Sequence, residues 1–335
     1  MSMQDAQTEL RETARRLLSE GRGNVVVGYR QGTLPLTSRP CFVRDAKAVE
    51  QLVWNSTCAG NLATFLPRLF AKPPRPPKDY APPKVALVAK GCDARSAAQL
   101  ASANQFPRAN LVIIGMPCRG MIDRDKVAAA LGGNEVLECD EGTDGTLSVR
   151  TASGTTTVER EAALAEACTE CACPTVADAD VSVAGPSRAP ATDRHRRMLE
   201  FAARPAEERW RQFVAEMAKC IRCNACREAC PNCYCKVCFA DQTKPAWVRP
   251  GDALSDKIIF HMGRIYHQAG RCVECDACVR ACPMGVDLRL FTQQLVADAE
   301  KLFDSAPGMA GDAAPALSTF TPDDSEHFIT DPEET

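Results

Sequence analysis

The sequence predicts an α/β domain with a mostly parallel sheet, followed by an α-helical domain organised around cysteines. Short apolar runs alternate with helical patterns in the first half of the chain, which is typical of parallel sheets. In the second half, a cysteine run at residues 220–231 recurs at residues 272–283. Amphipathic helical segments stand before, between and after these two runs, and this arrangement favours a helical setting for them.

Composition limits the function. The chain has 335 residues, 45% of them hydrophobic, with 40 basic and 43 acidic side chains. The length allows two or three domains with a sizeable core. The net charge of −3 argues against a nucleic-acid-binding protein, because such proteins usually carry a basic surface.

Nineteen cysteines are unusual for a chain of this length. The first residues are charged and helical, without the apolar stretch of a signal peptide, and no run is long enough to span a membrane. We therefore expect a cytoplasmic protein. In a reducing compartment, dense cysteine spacing indicates metal binding rather than disulfides.

The α/β part begins with an amphipathic helix over residues 5–20 and a short buried strand over 24–29. Two helical pieces and a proline-rich connector, which cannot form a helix or a central strand, follow at 44–54, 61–70 and 72–84. Three strands that alternate with two helices then predict the parallel sheet, with strands at 84–91, 110–115 and 135–139 and helices at 94–102 and 123–131. A hairpin over 143–158, a helix from Glu159 and a linker over 176–193 complete this part.

Each cysteine run has spacings of two, two and three residues and ends in Cys-Pro, as bacterial 4Fe–4S proteins do. Three thiolates on one turn can hold three corners of a 4Fe–4S cube, whereas the fourth points away and ligates the cluster of the other run. The first set, for cluster one, is Cys220, Cys223, Cys226 and Cys282. The second set, for cluster two, is Cys230, Cys272, Cys275 and Cys278.

Zinc knuckles and disulfides are the alternatives for these cysteines. Zinc sites rarely need three closely spaced cysteines and a fourth before proline, and disulfides need an oxidising compartment. The flanking helices favour an α-helical ferredoxin-type dicluster domain over the compact two-hairpin ferredoxin.

A third set, Cys92, Cys118, Cys168 and Cys171, predicts a third cluster. Cys92 and Cys118 follow two parallel strands, and the carboxyl ends of such strands form the ligand crevice of an α/β sheet. Cys173 could replace Cys171. A zinc ion is the rival metal, and simple core packing of free cysteines is the other alternative.

Three more cysteines, Cys233, Cys235 and Cys238, are possible ligands of a further metal or cluster, with Cys41, Cys58 or Cys139 as a fourth. They could equally be packing residues beside cluster two. Arg95 and Arg119 follow loop cysteines and could offset cluster charge, although surface arginine is the commoner interpretation. We predict no catalytic residue, because the sequence has no nucleophile triad, no Walker spacing and no GxGxxG after a strand.

These patterns divide the chain into four parts. They are an N-terminal α/β segment with its connector (1–83), an α/β cluster-bearing domain (84–185), a helical dicluster domain (186–304) and an acidic tail (305–335). The tail has too little periodic apolar content for a core, so we expect it to be flexible or bound to a partner.

Four stretches carry a resemblance to a known family. They are AKGCDARSAAQL, LVIIGMPCRG, CTECACPTVADADVSVAG and CIRCNACREACPNCYCKVC, which occur between residues 84 and 285. In order and style they resemble the beta subunit of coenzyme F420-reducing hydrogenase and formate dehydrogenase. The resemblance implies an α/β domain with FAD and a 4Fe–4S cluster, whose ligands here would be the third set. The glycine-rich N-terminal flavin segment typical of that family, GVVTALL in style, has no counterpart in residues 1–80.

We therefore expect an iron–sulfur electron-transfer subunit of a multi-subunit redox complex. By the resemblance, its partners are a catalytic subunit of formate dehydrogenase or hydrogenase type and a heterodisulfide-reductase-like or flavoprotein subunit. The alternative is a flavin-containing reductase that takes hydride from NAD(P)H or deazaflavin and passes electrons to its own clusters. A zinc-and-cluster scaffold without electron flow is a second alternative.

Overall fold

The structure is a computed structural model that describes residues 2–142, 145–309 and 316. Its main sheet has five strands in the order β2-β1-β3-β4-β8. Strand β1 pairs in parallel with β3, β3 with β4, and β4 with β8, whereas β1 and β2 are antiparallel. The prediction of a mostly parallel sheet is confirmed. The strands are β1 (Val25–Gln31), β2 (Ser38–Val43), β3 (Val85–Ala89), β4 (Leu111–Gly115) and β8 (Val181–Ser182).

Two of these strands were not predicted. Strand β2 contains Pro40, which argues against a central strand, and the structure places it at the sheet edge, where proline is tolerated. Strand β8 is only two residues long and lies inside the segment predicted as a linker, 176–193. A run that short has no periodicity for sequence reasoning to detect.

The other three strands form a separate antiparallel sheet. It consists of β5 (Glu138–Glu141), β6 (Thr146–Thr151) and β7 (Gly154–Glu159). The predicted hairpin is confirmed as β6 and β7. The assignment of residues 135–139 to the parallel sheet was wrong, because β5 pairs with β6 instead.

Most predicted helices are present, with shifts of a few residues. Those before and around the parallel strands are α1 (Met3–Ser19), α2 (Leu66–Leu69), α3 (Gly91–Ser102), α4 (Arg124–Ala130) and α5 (Glu166–Thr169). Two predicted helical pieces are mainly 3₁₀ turns, at Ala46–Gln51 and Leu62–Phe65, and two more 3₁₀ turns are Arg108–Asn110 and Phe239–Asp241. The helix expected from Glu159 was wrong in extent, since only the short α5 forms there.

The second half of the chain is helical, as predicted. Its helices are α6 (Arg196–Ala202), α7 (Ala206–Ala218), α8 (Ala225–Glu228), α9 (Leu254–Tyr266), α10 (Ala277–Arg280) and α11 (Leu288–Phe303). Helix α9 packs against α7 and α11, and the two short helices α8 and α10 pack against each other. Every helix in the described part of the chain is too short or too polar to span a lipid bilayer.

Three apolar cores hold these elements together. The largest surrounds the five-stranded sheet and includes α1, the second lies between α7, α9 and α11, and the third lies between the hairpin sheet and α4. The first core crosses the boundary predicted at 83/84, because β1 and β3 belong to one sheet. Pro307 and Met309, at the start of the predicted tail, contact Arg95 and Cys173 of the α/β part. The rest of that tail, apart from residue 316, lies outside the described residues.

Candidate metal centres

The two cysteine runs fold into the same local structure. Arg222 and Asn224 in the first run have φ of 56° and 62°, and Glu274 and Asp276 in the second have φ of 59° and 61°. When right- and left-handed backbone conformations alternate, successive N–H groups point into one concavity, and this geometry is found at anion and iron–sulfur sites. The N–H groups of Arg222 and Glu274 each donate to the thiol two residues earlier, at 3.2 and 3.4 Å.

A four-residue helix follows each loop and delivers the fourth cysteine. Helix α8 leads to Cys230, and helix α10 leads to Cys282. Because α8 and α10 pack against each other, each fourth cysteine is carried towards the other run. This is the backbone arrangement that crossed ligation requires.

The structure brings the second set together. Its four cysteines line one small internal cavity, whose other walls include the apolar side chains of Pro231, Ile265, Val273, Ala277 and Leu288. Burial raises the pKa of the Cys272 thiol to about 12, and it raises the pKa of Cys278 further. Cys230 therefore lies with the run of Cys272 and not with its own run.

Three members of the first set also come together. The thiol of Cys226 interacts electrostatically with those of Cys220 and Cys282, and burial raises its pKa. The Val286 N–H donates to the Cys282 sulfur at 3.4 Å. Cys220 and Cys226 are buried, whereas Cys223 is exposed at the surface.

The third set converges from separate elements of the α/β part. Cys118, in the loop after β4, interacts electrostatically with Cys168 and Cys171, and Cys92 interacts with Cys118. The sequence predicted that Cys92 lies in a loop, and this was wrong, because Cys92 lies in the first turn of α3. Burial raises the pKa of Cys118 to about 12, and N–H groups of Gly120 and Met121 donate to the sulfurs of Cys118 and Cys168 at 3.4 and 3.3 Å.

Close backbone packing positions this set. A Cβ atom on Gly91 would lie 1.8 Å from the Cys173 carbonyl oxygen, so only glycine allows α3 to approach the 171–175 loop. The Cys173 sulfur lies 3.4 Å from the Met309 sulfur. The thiol of Cys171 instead interacts with that of Cys118, which favours Cys171 over Cys173 as the fourth member.

The chemistry of these three sets fits thiolate-bound clusters. Burial raises the pKa of most of these thiols, so they are protonated at neutral pH unless a metal displaces the proton. Backbone N–H groups already point at several sulfurs, and such hydrogen bonds tune iron–sulfur sites. Among the described residues, no three His, Cys, Asp or Glu side chains lie close enough to hold a single metal ion.

The remaining cysteines are distributed differently. Cys41 and Cys58 are buried in the first core and Cys139 packs against the third, so the structure places none of them in the second core beside Cys238. Cys233 lies against Cys230, and their hydrogen bond lowers the pKa of Cys233 and raises that of Cys230. A further metal at Cys233, Cys235 and Cys238 stays a prediction.

Sequence reasoning missed the basic side chains between the sets. Arg264, on the buried face of α9, interacts electrostatically with Cys226 of the first set and with Cys230 and Cys278 of the second. Arg280 interacts with Cys275 of the second set and with Cys92 and Cys168 of the third. The one local signal was helical spacing, since Arg264 follows the buried Asp256 and Phe260 of α9 at intervals of four.

Two arginines that the sequence did single out have different environments. Arg95 is buried and its guanidinium donates to the carbonyls of Val273 and Pro307, at 3.4 and 3.0 Å. It also interacts electrostatically with the thiols of Cys171 and Cys272, which lie on either side of the junction between the second and third sets. Arg119 forms an ion pair with Glu141 at 3.0 Å instead.

A cleft of about 1670 Å³ opens beside the first and second sets, and Cys282 and Cys230 form part of its lining. The 3₁₀ turn at Leu62–Phe65 and helix α2 form one wall, and the loop from Cys230 to Cys238 forms another. Arg227, Arg271 and Arg280 contribute positive charge to its lining.

Comparisons with known proteins match the part of the chain that carries the third set, and one relative aligns with most of the chain. Residues 83–216 match the family model for the carboxyl terminus of the coenzyme F420 hydrogenase/dehydrogenase beta subunit. The F420-dependent formate dehydrogenase subunit beta of Methanocaldococcus jannaschii is 22% identical over 352 aligned positions, covering 88% of this chain and 89% of that protein. The F420-dependent formate dehydrogenase 1 subunit beta of Methanococcus maripaludis is 26% identical over 118 positions, covering 35% of this chain and 29% of that protein.

A solved structure of the F420-reducing nickel–iron hydrogenase complex from Methanosarcina barkeri contains a chain that is 15% identical. The match has a TM-score of 0.37 and covers 50% of this chain and 61% of the other.

Proposed function

We propose that this chain is the iron–sulfur electron-transfer subunit of a redox complex. Its match, through residues 83–216, to the beta subunit family of coenzyme F420 hydrogenase/dehydrogenase and its similarity to two formate dehydrogenase beta subunits support this proposal. In this proposal the first, second and third sets of cysteines each hold one 4Fe–4S cluster. When bound, such clusters supply one-electron reduction and oxidation steps.

The observation that carries the proposal is the order of the three sets in space. Cys92 of the third set interacts electrostatically with Cys275 of the second. Cys226 of the first set and Cys278 of the second share Arg264 as a neighbour. The sets therefore form a continuous row, third to second to first, which is the arrangement that a relay needs.

The chain contributes three things to such a relay. Its thiolates fix the positions of the redox centres, and its apolar side chains, such as Ile265 and Leu288, exclude water from the second set. Backbone N–H groups of Arg222, Glu274 and Val286 donate to cysteine sulfurs, where they stabilise negative charge. The exposed Cys223 brings the first set to the surface, so this end of the row is accessible to a partner.

The relatives support a choice of partner. Two of them are beta subunits of formate dehydrogenases, and each name implies other subunits in the same complex. We propose a catalytic subunit of formate dehydrogenase or hydrogenase type at one end of the row. A heterodisulfide-reductase-like or flavoprotein subunit serves the other end, and the complex resides in the cytoplasm, where thiols stay reduced.

The test is an anaerobic count of iron, sulfide, zinc and flavin per chain. About twelve irons without flavin are expected for three 4Fe–4S clusters and a relay without its own substrate site. About eight irons would indicate that the cysteines of the third set bind zinc or pack in the core without a metal. Clusters that neither dithionite nor the partner complex can reduce would contradict electron transfer and favour a scaffold.

The large cleft favours one alternative, a flavin-containing reductase that takes hydride from NAD(P)H or a deazaflavin. The cleft is lined by the Cys230–Cys238 loop and by Cys282, so a flavin bound there would adjoin the first and second sets. Stoichiometric flavin in the anaerobic protein, bleached by NAD(P)H or reduced deazaflavin, would support this alternative over the relay. Its absence in protein with full iron content would support the relay.

A further inference from the structure

Arg264 is a buried cation without a carboxylate partner among the described residues. It lies on the buried face of α9, and the residue is only 6% exposed. Its Nη2 donates to the Cys226 carbonyl at 2.8 Å and lies 3.9 Å from the Cys233 sulfur. Its Nε has no hydrogen-bond partner within the part of the chain that the structure describes.

The charged neighbours of this guanidinium are thiols. They are Cys226, Cys233, Cys278 and Cys230, which come from both cysteine runs. Two other buried cations have carboxylate partners, since Arg289 pairs with Glu170 at 2.5 Å and Lys90 pairs with Asp93 at 2.7 Å. The buried Arg95 resembles Arg264 instead, because its guanidinium donates to backbone carbonyls. What distinguishes Arg264 is that its neighbouring thiols belong to both cysteine runs.

An unbalanced buried charge is strongly unfavourable, and arginine cannot lose its proton in a protein. The thiols around Arg264 balance it only when they are thiolates. Arg264 lines the small cavity of the second set together with Cys230 and Cys278, and it also donates to the carbonyl of Cys226 in the first set. Metal binding requires the ligating cysteines to be thiolates, so bound clusters would place anionic centres on both sides of the guanidinium.

We propose that Arg264 is a countercharge shared by the clusters of the first and second sets, and that it raises the reduction potentials of both. This inference rests on the proposed function, since it presumes clusters at both sets. A fixed positive charge between two centres favours the electron on either of them. Because one cation lies beside both clusters, removing its charge lowers both potentials together.

The test replaces Arg264 in the full-length protein and measures each cluster's potential by anaerobic titration with dithionite, followed by electron paramagnetic resonance. Arg264→Met removes the charge and keeps most of the volume, whereas Arg264→Lys keeps the charge. In the Met variant, we expect the ratio of reduced to oxidised cluster to fall about tenfold or more at a fixed solution potential, for the first and second sets together. The Lys variant should stay close to the wild type.

Two controls separate this effect from general damage. The third set lies next to Arg280, so its potential should not move in Arg264→Met. Lys257→Met removes a charge from the same helix at a position outside the cysteine environment and should leave all potentials unchanged. Unchanged potentials in a fully iron-loaded Arg264→Met protein, or an equal shift of the third cluster, would overturn the proposal.

Loss of iron is also informative. If Arg264→Met loses iron from the first two sets while Arg264→Lys retains it, the charge is required to hold anionic clusters and the proposal stands. Iron loss in both variants, or loss from the third set as well, would indicate a purely structural role and overturn it. Wild-type protein without iron at the first two sets would instead refute the proposed function.

Discussion

His261 is a buried histidine whose two ring nitrogens have no partner among the described residues. Burial lowers its pKa to about 4, and the nearby guanidinium groups of Arg264 and Arg222 lower it too. A histidine in the unfolded chain has a pKa of about 6.5, so below that pH the unfolded chain binds a proton at this residue and the folded chain does not. The neutral ring therefore costs no stability above about pH 6.5, and stability falls as pH decreases from there to about 4.

Replacing His261 with Phe should remove this pH dependence. We expect the wild type to lose about 2 kcal/mol more of its unfolding free energy than the variant between pH 7.5 and pH 4.5. Urea denaturation under anaerobic conditions at both pH values measures the difference. Parallel pH dependences in the two proteins would show that His261 is already protonated, or not buried, in the native state.

Gly91 is a second residue whose role is positional. Gly91→Ala should force α3 away from the Cys173 carbonyl, separate Cys92 from the rest of the third set, and destabilise the fold by about 3 kcal/mol. Iron content should fall by one cluster, and the denaturation midpoint should fall with it. Gly251→Ala is the matched control, since a Cβ there meets nothing within 4 Å.

At the scale of elements, the pairing of α8 with α10 decides which cysteine serves which cluster. Cys282→Ser should deplete the cluster of the first set and leave that of the second, because Cys282 lies with Cys226. Cys230→Ser should do the opposite. Iron analysis with paramagnetic resonance of both variants measures this, and Cys58→Ser, in the first core, serves as the control. If Cys282→Ser lost the cluster of Cys272, Cys275 and Cys278 first, ligation within each run would be correct instead.

Elements with a strong local pattern could be predicted from the sequence. Strands β3 and β4 and helices α1, α7, α9 and α11 have clear apolar periods, and the structure contains them. Strand β2 was not predicted, because Pro40 is atypical of a strand interior. Strand β5 was assigned to the wrong sheet, because the pairing partner of a strand depends on tertiary contacts. Strand β8 is held by its neighbour β4 and not by a propensity of its own.

Some residues of the candidate site could also be predicted from the sequence, and others could not. Spacing predicted the three cysteine sets, because a cube needs several thiolates close in sequence or at strand ends. Arg264 and Gly91 could not be predicted, since their roles arise only when α9 meets both runs and when α3 meets the 171–175 loop. Residues that act by contact across the fold leave little local signal.

At the scale of the whole molecule, a buried ion pair joins the α/β part to the last helix. Glu170, next to Cys171, accepts from Arg289 of α11 at 2.5 Å, and both side chains are 6% exposed. Gln293 of α11 donates to the same carboxylate at 3.1 Å. These contacts fix the third set against the helices that surround the second.

Arg289→Met should therefore destabilise the protein by about 3 kcal/mol or more, because Glu170 stays buried without its partner. The double variant Glu170→Gln, Arg289→Met should recover part of that loss, since no unpaired charge remains. Denaturation midpoints and limited proteolysis within residues 186–193 measure the effect. A double variant less stable than Arg289→Met would show that the pair contributes more than the removal of a buried charge.

The crossing of the two short helices also has a consequence for biosynthesis. The ribosome releases Cys220, Cys223 and Cys226 well before Cys282, and Cys230 well before Cys272. With the ligands crossed, neither of these two sites has all four thiols in the nascent chain until the second run has emerged. Maturation therefore follows translation of both runs, and a chain that stops between them exposes the four unligated thiols of the first run to any oxidant it meets.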